Sequence, residues 1–225
     1  MKLLIISDIH AAIPEIEKLA LELKAADLVL CAGDFAKFGQ PETALPTLKA
    51  LLNQTEDVFA VCGNCDEPLF KEELEKADIS VEGSLVFRDG LCFCGAGGAL
   101  KFTGETPNER EEDDLISDLD EIRNLSAGET LPNSILIIHN PPHGTGLDKV
   151  TDGFHVGSKA VTDFINSVQP LMLITGHIHE SACIENIGST VAINPGPLFE
   201  GNYVRAEIQK VDGCWKVIQC KMEKL

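Results

Sequence analysis

Basic side chains are scarce. Lys and Arg number 18 against 36 Asp and Glu, which leaves a net charge of −18 at pH 7. That balance repels nucleic-acid backbones and anionic membrane surfaces, and it excludes a general nucleic-acid binder. Long apolar runs are missing too: none approaches the roughly 20 residues needed to cross a bilayer. Met1-Lys2 and the four apolar residues after it imitate a signal peptide, but the run is too short and Ser7-Asp8 ends it. Cytoplasmic residence is therefore the expectation. No linker-like or low-complexity stretch and no short-period repeat divides the 225 residues, so one domain over residues 1–225 is expected. A second C-x-x-C is also lacking. Cys62-Gly63-Asn64-Cys65 stands alone, which argues against a structural zinc site. The eight cysteines lie in a chain long enough to fold without staples, and several sit inside apolar runs, so reduced thiols are expected.

What the chain does have is one event repeated five times. Leu3-Leu4-Ile5-Ile6 stops at Ser7-Asp8-Ile9-His10, and Leu28-Val29-Leu30-Cys31 runs into Gly33-Asp34. Val58-Phe59-Ala60-Val61 leads to Gly63-Asn64, Ile135 to Ile138 leads to His139, and Leu171 to Ile174 leads to Gly176-His177-Ile178-His179. Short apolar runs of this kind read as strands buried on both faces. Each delivers a metal-type ligand where it ends, and in open α/β folds that edge is where ligands bind.

Between the strands, the spacing of Ile16, Leu19, Ala20 and Leu23 after Pro14 predicts a helix packed by one face. A second helix is expected after Pro41, with Leu45, Leu48, Leu51 and Leu52 inward, and a third over Leu69 to Ala77. Asp89-Gly90 predicts a hairpin between strands near Leu85–Phe87 and Leu91–Cys94. Gly95 to Gly98 reads as flexible, and Thr103 to Asn108 as loop. Glu109 to Asn124 reads as helix, with Leu115, Ile116, Leu119 and Ile122 inward and its acidic start matched to the helix dipole. Gly157 to Val168 predicts a further helix. From Ser181 the pattern changes to consecutive short strands, Ala182–Ile187, Thr190–Ile193, Tyr203–Gln209 and Trp215–Met222, which suggests an α/β layered fold with an antiparallel second sheet.

Asp8, His10, Asp34, Asn64, His139, His177 and His179 all fall at the strand ends. Imidazoles mixed with carboxylate and amide oxygens suit Mn, Fe, Zn, Co or Ni better than Mg or Ca. Seven ligands exceed what one ion takes, whereas two ions sharing a carboxylate use them all. A metal pair also answers the charge problem, because cations let an acidic protein accept a phosphate.

The series Asp8-Ile9-His10, Gly33-Asp34, Gly63-Asn64-Cys65-Asp66, His139 and Gly176-His177-Ile178-His179 resembles the calcineurin-like metallophosphoesterases over residues 3 to about 200. The resemblance implies a four-layer α/β/β/α sandwich of two mixed sheets flanked by helices. It implies two divalent ions, Mn²⁺ first among them, with Asp8, His10 and His179 on one, Asn64, His139 and His177 on the other, and Asp34 bridging. The function it implies is hydrolysis of a small phosphate ester, phosphodiesters favoured, by a hydroxide shared between the ions. A phosphomonoesterase or protein phosphatase, or a scaffold protein on the same fold, are the alternatives.

One residue departs from the family pattern. Many relatives carry a proton-donating His where this chain has Cys65. A thiol beside two cations tends to ionise and lose the proton it should donate. His155 and His143, in the loop after His139, are the candidate proton donors, His143 is also a candidate substrate contact, and positioning of the loop is the alternative role for each. Asn194, in Asn194-Pro195-Gly196-Pro197, is a further candidate substrate contact, although turn formation alone explains it.

Overall fold

The computed structural model describes residues 1–126 and 131–225. The chain opens with β1 (Lys2–Ile6), α1 (Ile13–Lys18), α2 (Ala20–Ala25) and β2 (Leu28–Cys31). The helix expected after Pro14 is thus two short helices joined at Leu19, whose backbone relaxes to ψ 0. The apolar face survives the break, since Ile16, Leu19 and Leu23 are all buried. There follow α3 (Ala44–Leu52), β3 (Val58–Ala60) and α4 (Phe70–Lys76). Leu48 and Leu51 of α3 are buried, while Leu45 and Leu52 pack only partly against the same core.

Next come β4 (Val86–Arg88) and β5 (Leu91–Ala96), joined as expected at Asp89-Gly90, both with positive φ. Two readings need correction in the segment after this turn. Gly95 and Ala96 belong to a strand, and Gly95 is required there because a Cβ would overlap the Ile137 carbonyl of the neighbouring strand. Glu109 and Arg110 do not open the helix. They form β7 (Glu109–Arg110), paired with β6 (Ala99–Leu100), and α5 starts only at Glu112 (Glu112–Leu125) behind a capping box of Glu111 and Asp114. The cap shifts the buried stripe to Leu115, Leu119 and Ile122, and leaves Ile116 exposed. The second half continues with β8 (Ser134–Ile138), α6 (Lys159–Val168, capped by the Ser158 hydroxyl) and β9 (Met172–Ile174). It ends with β10 (Cys183–Ile187), β11 (Thr190–Asn194), β12 (Asn202–Val211) and β13 (Cys214–Lys224).

The C-terminal strands do not form an antiparallel sheet of their own. β11 adds parallel to β9, with β10 antiparallel beyond it, whereas β12 adds antiparallel to β1, with β13 outermost. Two mixed sheets result, in the orders β13-β12-β1-β2-β3 and β10-β11-β9-β8-β5-β4. Local alternation marks a hairpin but carries no information on which sheet edge it joins.

Three apolar cores separate four layers. Leu4 and Ile6 of β1 face α1 to α4, together with Val29, Cys31 and Ala60. Leu3 and Ile5 face the other way and meet Phe93, Ile135, Ile137, Met172 and Ile174 of the second sheet. Leu136, Ile138 and Leu173 then turn to α5 and α6 through Leu119, Ile122, Val161 and Ile165. The order is α/β/β/α, as the family resemblance implied. Every central strand is buried on both faces, which is why each reads as an unbroken apolar run. Each such side chain contributes roughly 1.5–3 kcal/mol through burial, and together they hold the carboxyl ends of β1, β2, β3, β8 and β9 along one edge. Among the described residues no helix is long and apolar enough to cross a membrane. All eight cysteines are free.

Candidate metal centre

The loops leaving β1 and β2 run side by side. Asp8 N–H donates to the Gly33 carbonyl (3.0 Å), His10 N–H to Asp34 (2.9 Å) and Ala11 N–H to Phe35 (3.0 Å). This pairing holds Asp8, His10, Ala11 and Asp34 at positive φ, as is His177 on the second sheet. Left-handed backbone costs a residue with a side chain on the order of 1–3 kcal/mol, and such strain concentrates at functional sites. Four of those five residues are candidate ligands.

The two sheets meet across this edge. His177 N–H donates to both Asp8 carboxylate oxygens (3.1 and 3.2 Å), and Gly176 N–H donates to the His139 carbonyl (3.1 Å). The side chains then fall into two groups. In one, His179 Nε2 lies 3.4 Å from Asp8 Oδ1 and 3.3 Å from His10 Nε2. In the other, His139 Nε2 lies 2.9 Å from Asn64 Oδ1, and the His139 and His177 rings stand 5.4 Å apart. Asp34 Oδ2 sits between the groups, 3.5 Å from His10 Nε2 and 3.6 Å from His139 Nε2. Ligand atoms of Asp8, His10 and His179 lie within 4.8 Å of one another, as do those of Asp8, Asp34 and His139.

The residues present fit metal ions. His10 Nδ1 donates to the Ala36 carbonyl (2.9 Å) and His139 Nδ1 to the Ala32 carbonyl (2.5 Å). These bonds fix the tautomer and turn both Nε2 lone pairs inward. His139 Nε2 there faces the Asn64 amide oxygen, with no proton between them in the neutral state. Bare acceptors converging at about 3 Å repel unless a cation joins them. Burial, then His139, pushes His177 down to about 4, so its ring is neutral and ready to ligate at pH 7. Burial opposes the Asp8 charge, but the bond to His179 and the surrounding imidazoles outweigh it and hold the carboxyl well below its usual range. Burial likewise opposes a charge on His179, and the Asp8 carboxylate prevails and raises it.

Cys65 lies at the edge of this group, 5% exposed, and its N–H donates to Asp34 Oδ1 (2.7 Å). Burial, then the Asp34 charge, pushes the thiol far up, so it stays protonated in the metal-free protein. Asp66, the last residue of the same motif, has a role that the sequence did not reveal. Wholly buried, it accepts from the N–H groups of Phe35 (3.3 Å), Ala36 (2.8 Å) and Gly63 (2.8 Å), which ties the loop after β2 to the loop after β3. Burial, then Asp34, pushes it up to about 6. Thr106 is a second addition. Its hydroxyl accepts from Asn64 Nδ2 (3.1 Å), which turns Asn64 Oδ1 toward His139. Thr106 is held in turn by Glu109, whose carboxylate also accepts from the N–H groups of Phe102, Gly104 and Glu105.

Of the remaining candidates, His155 and His143 share one carboxylate. Asp148, wholly buried, lies 2.6 Å from His155 Nδ1 and 3.6 Å from His143 Nδ1, and accepts from the N–H groups of Gly144, Thr145 and Gly157. Nothing in the sequence distinguishes Asp148 from other loop acids. Its loop packs beside His179 through Thr151 N–H to Glu180 and the Ser181 hydroxyl to the Lys149 carbonyl. Asn194 lies inside the fold. Its side chain is wholly buried, donating to the Ile178 (2.9 Å) and Leu147 (3.4 Å) carbonyls and accepting from Gly196 N–H (2.9 Å). Its polar atoms hold loops together and are not presented to a substrate.

Comparison with known proteins agrees with this geometry. An uncharacterised protein of Methanocaldococcus jannaschii is 32% identical over 202 residues, 88% of each chain. A dimetal phosphatase from Danio rerio shares the fold at TM-score 0.61 and 10% identity, covering 100% of this chain and 98% of its own. An archaeal phosphodiesterase does so at TM-score 0.52 and 18% identity, covering 100% of both chains. The profile of the calcineurin-like phosphoesterase superfamily domain matches residues 1–210, and the chain belongs to that superfamily.

Proposed function

We propose that the protein is a metal-dependent hydrolase of small phosphate esters, with phosphodiesters favoured, in which residues 1–225 act as one catalytic domain. The observation that carries this reading is the position of Asp34 Oδ2, nearly equidistant from His10 Nε2 and His139 Nε2. In this reading Asp8, His10 and His179 hold one divalent ion, Asn64, His139 and His177 the other, and Asp34 touches both. Mn²⁺ is the ion we favour, with Fe, Zn, Co or Ni as alternatives. Such ions supply Lewis acidity, which lowers the pKa of water and offsets the phosphoryl charge.

The chain's own side chains divide the remaining work. Asn64 and His143 contact the substrate, and His155 gives a proton to the leaving oxygen in place of Cys65. His155 is suited to that role because Asp148 takes its Nδ1–H and leaves Nε2 free. The net charge of −18 keeps nucleic acids away and favours a small substrate free in the cytoplasm. Cys65 in the place of the usual His is the feature we read as favouring diesters, since several of the small prokaryotic family members that resemble this chain act on phosphodiesters.

The deciding experiment is hydrolysis of matched chromogenic mono- and diesters by metal-stripped protein restored with Mn²⁺, Ni²⁺, Zn²⁺ or Mg²⁺. Turnover restored by a transition metal, faster on diesters and abolished in Asp34→Asn, is the expected result. Full activity in Asp34→Asn would overturn the bridging role.

A further inference from the structure

An aromatic ring lies beside this centre with no partner on its outer side. The turn at Pro197 to Gly201 is pinned to the end of β1, because Leu198 N–H donates to the Ser7 carbonyl (2.9 Å) and Pro197 bridges Ser7. Leu198 is wholly buried, and Gly201 closes the turn at φ 85. Between these two anchors, Phe199 is turned outward and remains 39% exposed. Its ring stands 5.5 Å from the His10 ring at 67° and 5.3 Å from the His179 ring at 71°. A large apolar side chain usually earns its place by burial, and this one is held rigidly at the mouth of the candidate site against two of its imidazoles.

We propose that Phe199 is a specificity-determining residue, a platform for an aryl or heteroaryl group carried by the phosphate ester. The inference rests on the phosphoesterase reading above and adds the chemical class of the substituent. The phosphoryl group goes to the ligand cluster, and the neighbouring ring goes to Phe199, where offset-stacked or edge-to-face contact favours an aromatic group over an aliphatic one. The strength of such a pair corresponds to a preference of about two- to tenfold in affinity.

Calorimetry on the Mn²⁺-loaded protein tests this with phenylphosphonate and methylphosphonate, non-hydrolysable probes that differ only in the organic group. The phenyl probe is expected to bind the unaltered protein about two- to tenfold more tightly. That ratio should fall to about one in Phe199→Ala and take an intermediate value in Phe199→Leu, which keeps apolar bulk without the ring. Thermal unfolding of each variant reports whether the turn is intact. An unchanged ratio in Phe199→Ala overturns the proposal, as does a change in Mn²⁺ affinity alone, which would make Phe199 a packing residue for the imidazoles. If the loaded protein binds neither probe and hydrolyses no phosphate ester, the phosphoesterase reading itself falls, and the platform with it.

Discussion

His139 presents a lone pair to the amide oxygen of Asn64 at 2.9 Å. The other ring nitrogen is committed to the Ala32 carbonyl, and the Asn64 amino group is committed to Thr106. Neither partner has a proton left to place between them. Removing the Asn64 oxygen should therefore weaken one ion and spare the other. Asn64→Ala is expected to lose about half the Mn²⁺ bound per chain, read by elemental analysis after dialysis. Loss of all the bound metal, or of none, would show that the ligands are not divided in this way.

His177 should make the metal-free protein less stable as the solution is made acidic. His177 ordinarily titrates near 6.5, but in the fold it is pushed down to about 4 by burial, then by His139. The unfolded chain therefore takes up this proton first. The contribution is fully present above pH 6.5 and is lost as pH falls toward about 4. Between pH 7 and 5 it amounts to about 2 kcal/mol. Asp66 works in the opposite sense. Raised to about 6, its stabilising contribution is present below pH 3.8 and lost as pH rises through about 6. Urea titrations of stripped protein at pH 7 and 5 should show His177→Gln spared about 2 kcal/mol of acid destabilisation relative to the unaltered chain. Equal dependence in both would show that His177 is not the neutral buried imidazole described here.

Gly63 leaves room for Asp34. A Cβ on Gly63 would overlap the Asp34 carboxylate and backbone nitrogen, so the strand end can carry no side chain there. Gly63→Ala is expected to displace Asp34, weaken Mn²⁺ binding at least tenfold and destabilise the fold by about 1–3 kcal/mol. Calorimetric titration of Mn²⁺ and thermal unfolding measure the two effects. Unaltered metal affinity would mean that the Asp34 position is not what the centre depends on.

Much of the scaffold could be read from the chain because its strands are buried on both faces. Ile5 and Ile6, for example, serve different cores, so no polar residue interrupts the run. The seven candidate ligands are legible for a related reason, since each lies within five residues of the end of such a run. The errors have a different origin. Glu109 looked like a helix start, yet its carboxylate was needed by the N–H groups of the 102–106 loop, and a better cap lay two residues on at Glu111. Asp66 gathers backbone donors from the loop after β2 and Asp148 from both ends of its own loop, and a buried loop acid of either kind looks no different from a solvated one. The β12–β13 hairpin joined the first sheet because Val204 pairs with Ile5, a contact of long range.

The identity of the proton donor can be settled by varying the leaving group. Cys65 is buried, its sulfur lies within 4.8 Å of ligand atoms of His10 and Asp34, and burial, then Asp34, pushes the thiol far up, so in the metal-free protein it holds its proton firmly. Cys65→Ala should cost little activity on any ester. His155 is exposed and oriented by Asp148, so His155→Gln should lose about 10²–10⁴-fold on alkyl leaving groups, which need a proton. The loss should be small on p-nitrophenolate, which departs without one. Asp148→Asn should follow the same pattern more weakly and should shift the basic limb of the pH–rate profile, a change that simple disruption of the loop would not produce. If both leaving groups suffer alike in His155→Gln, the histidine positions the loop and the proton comes from solvent.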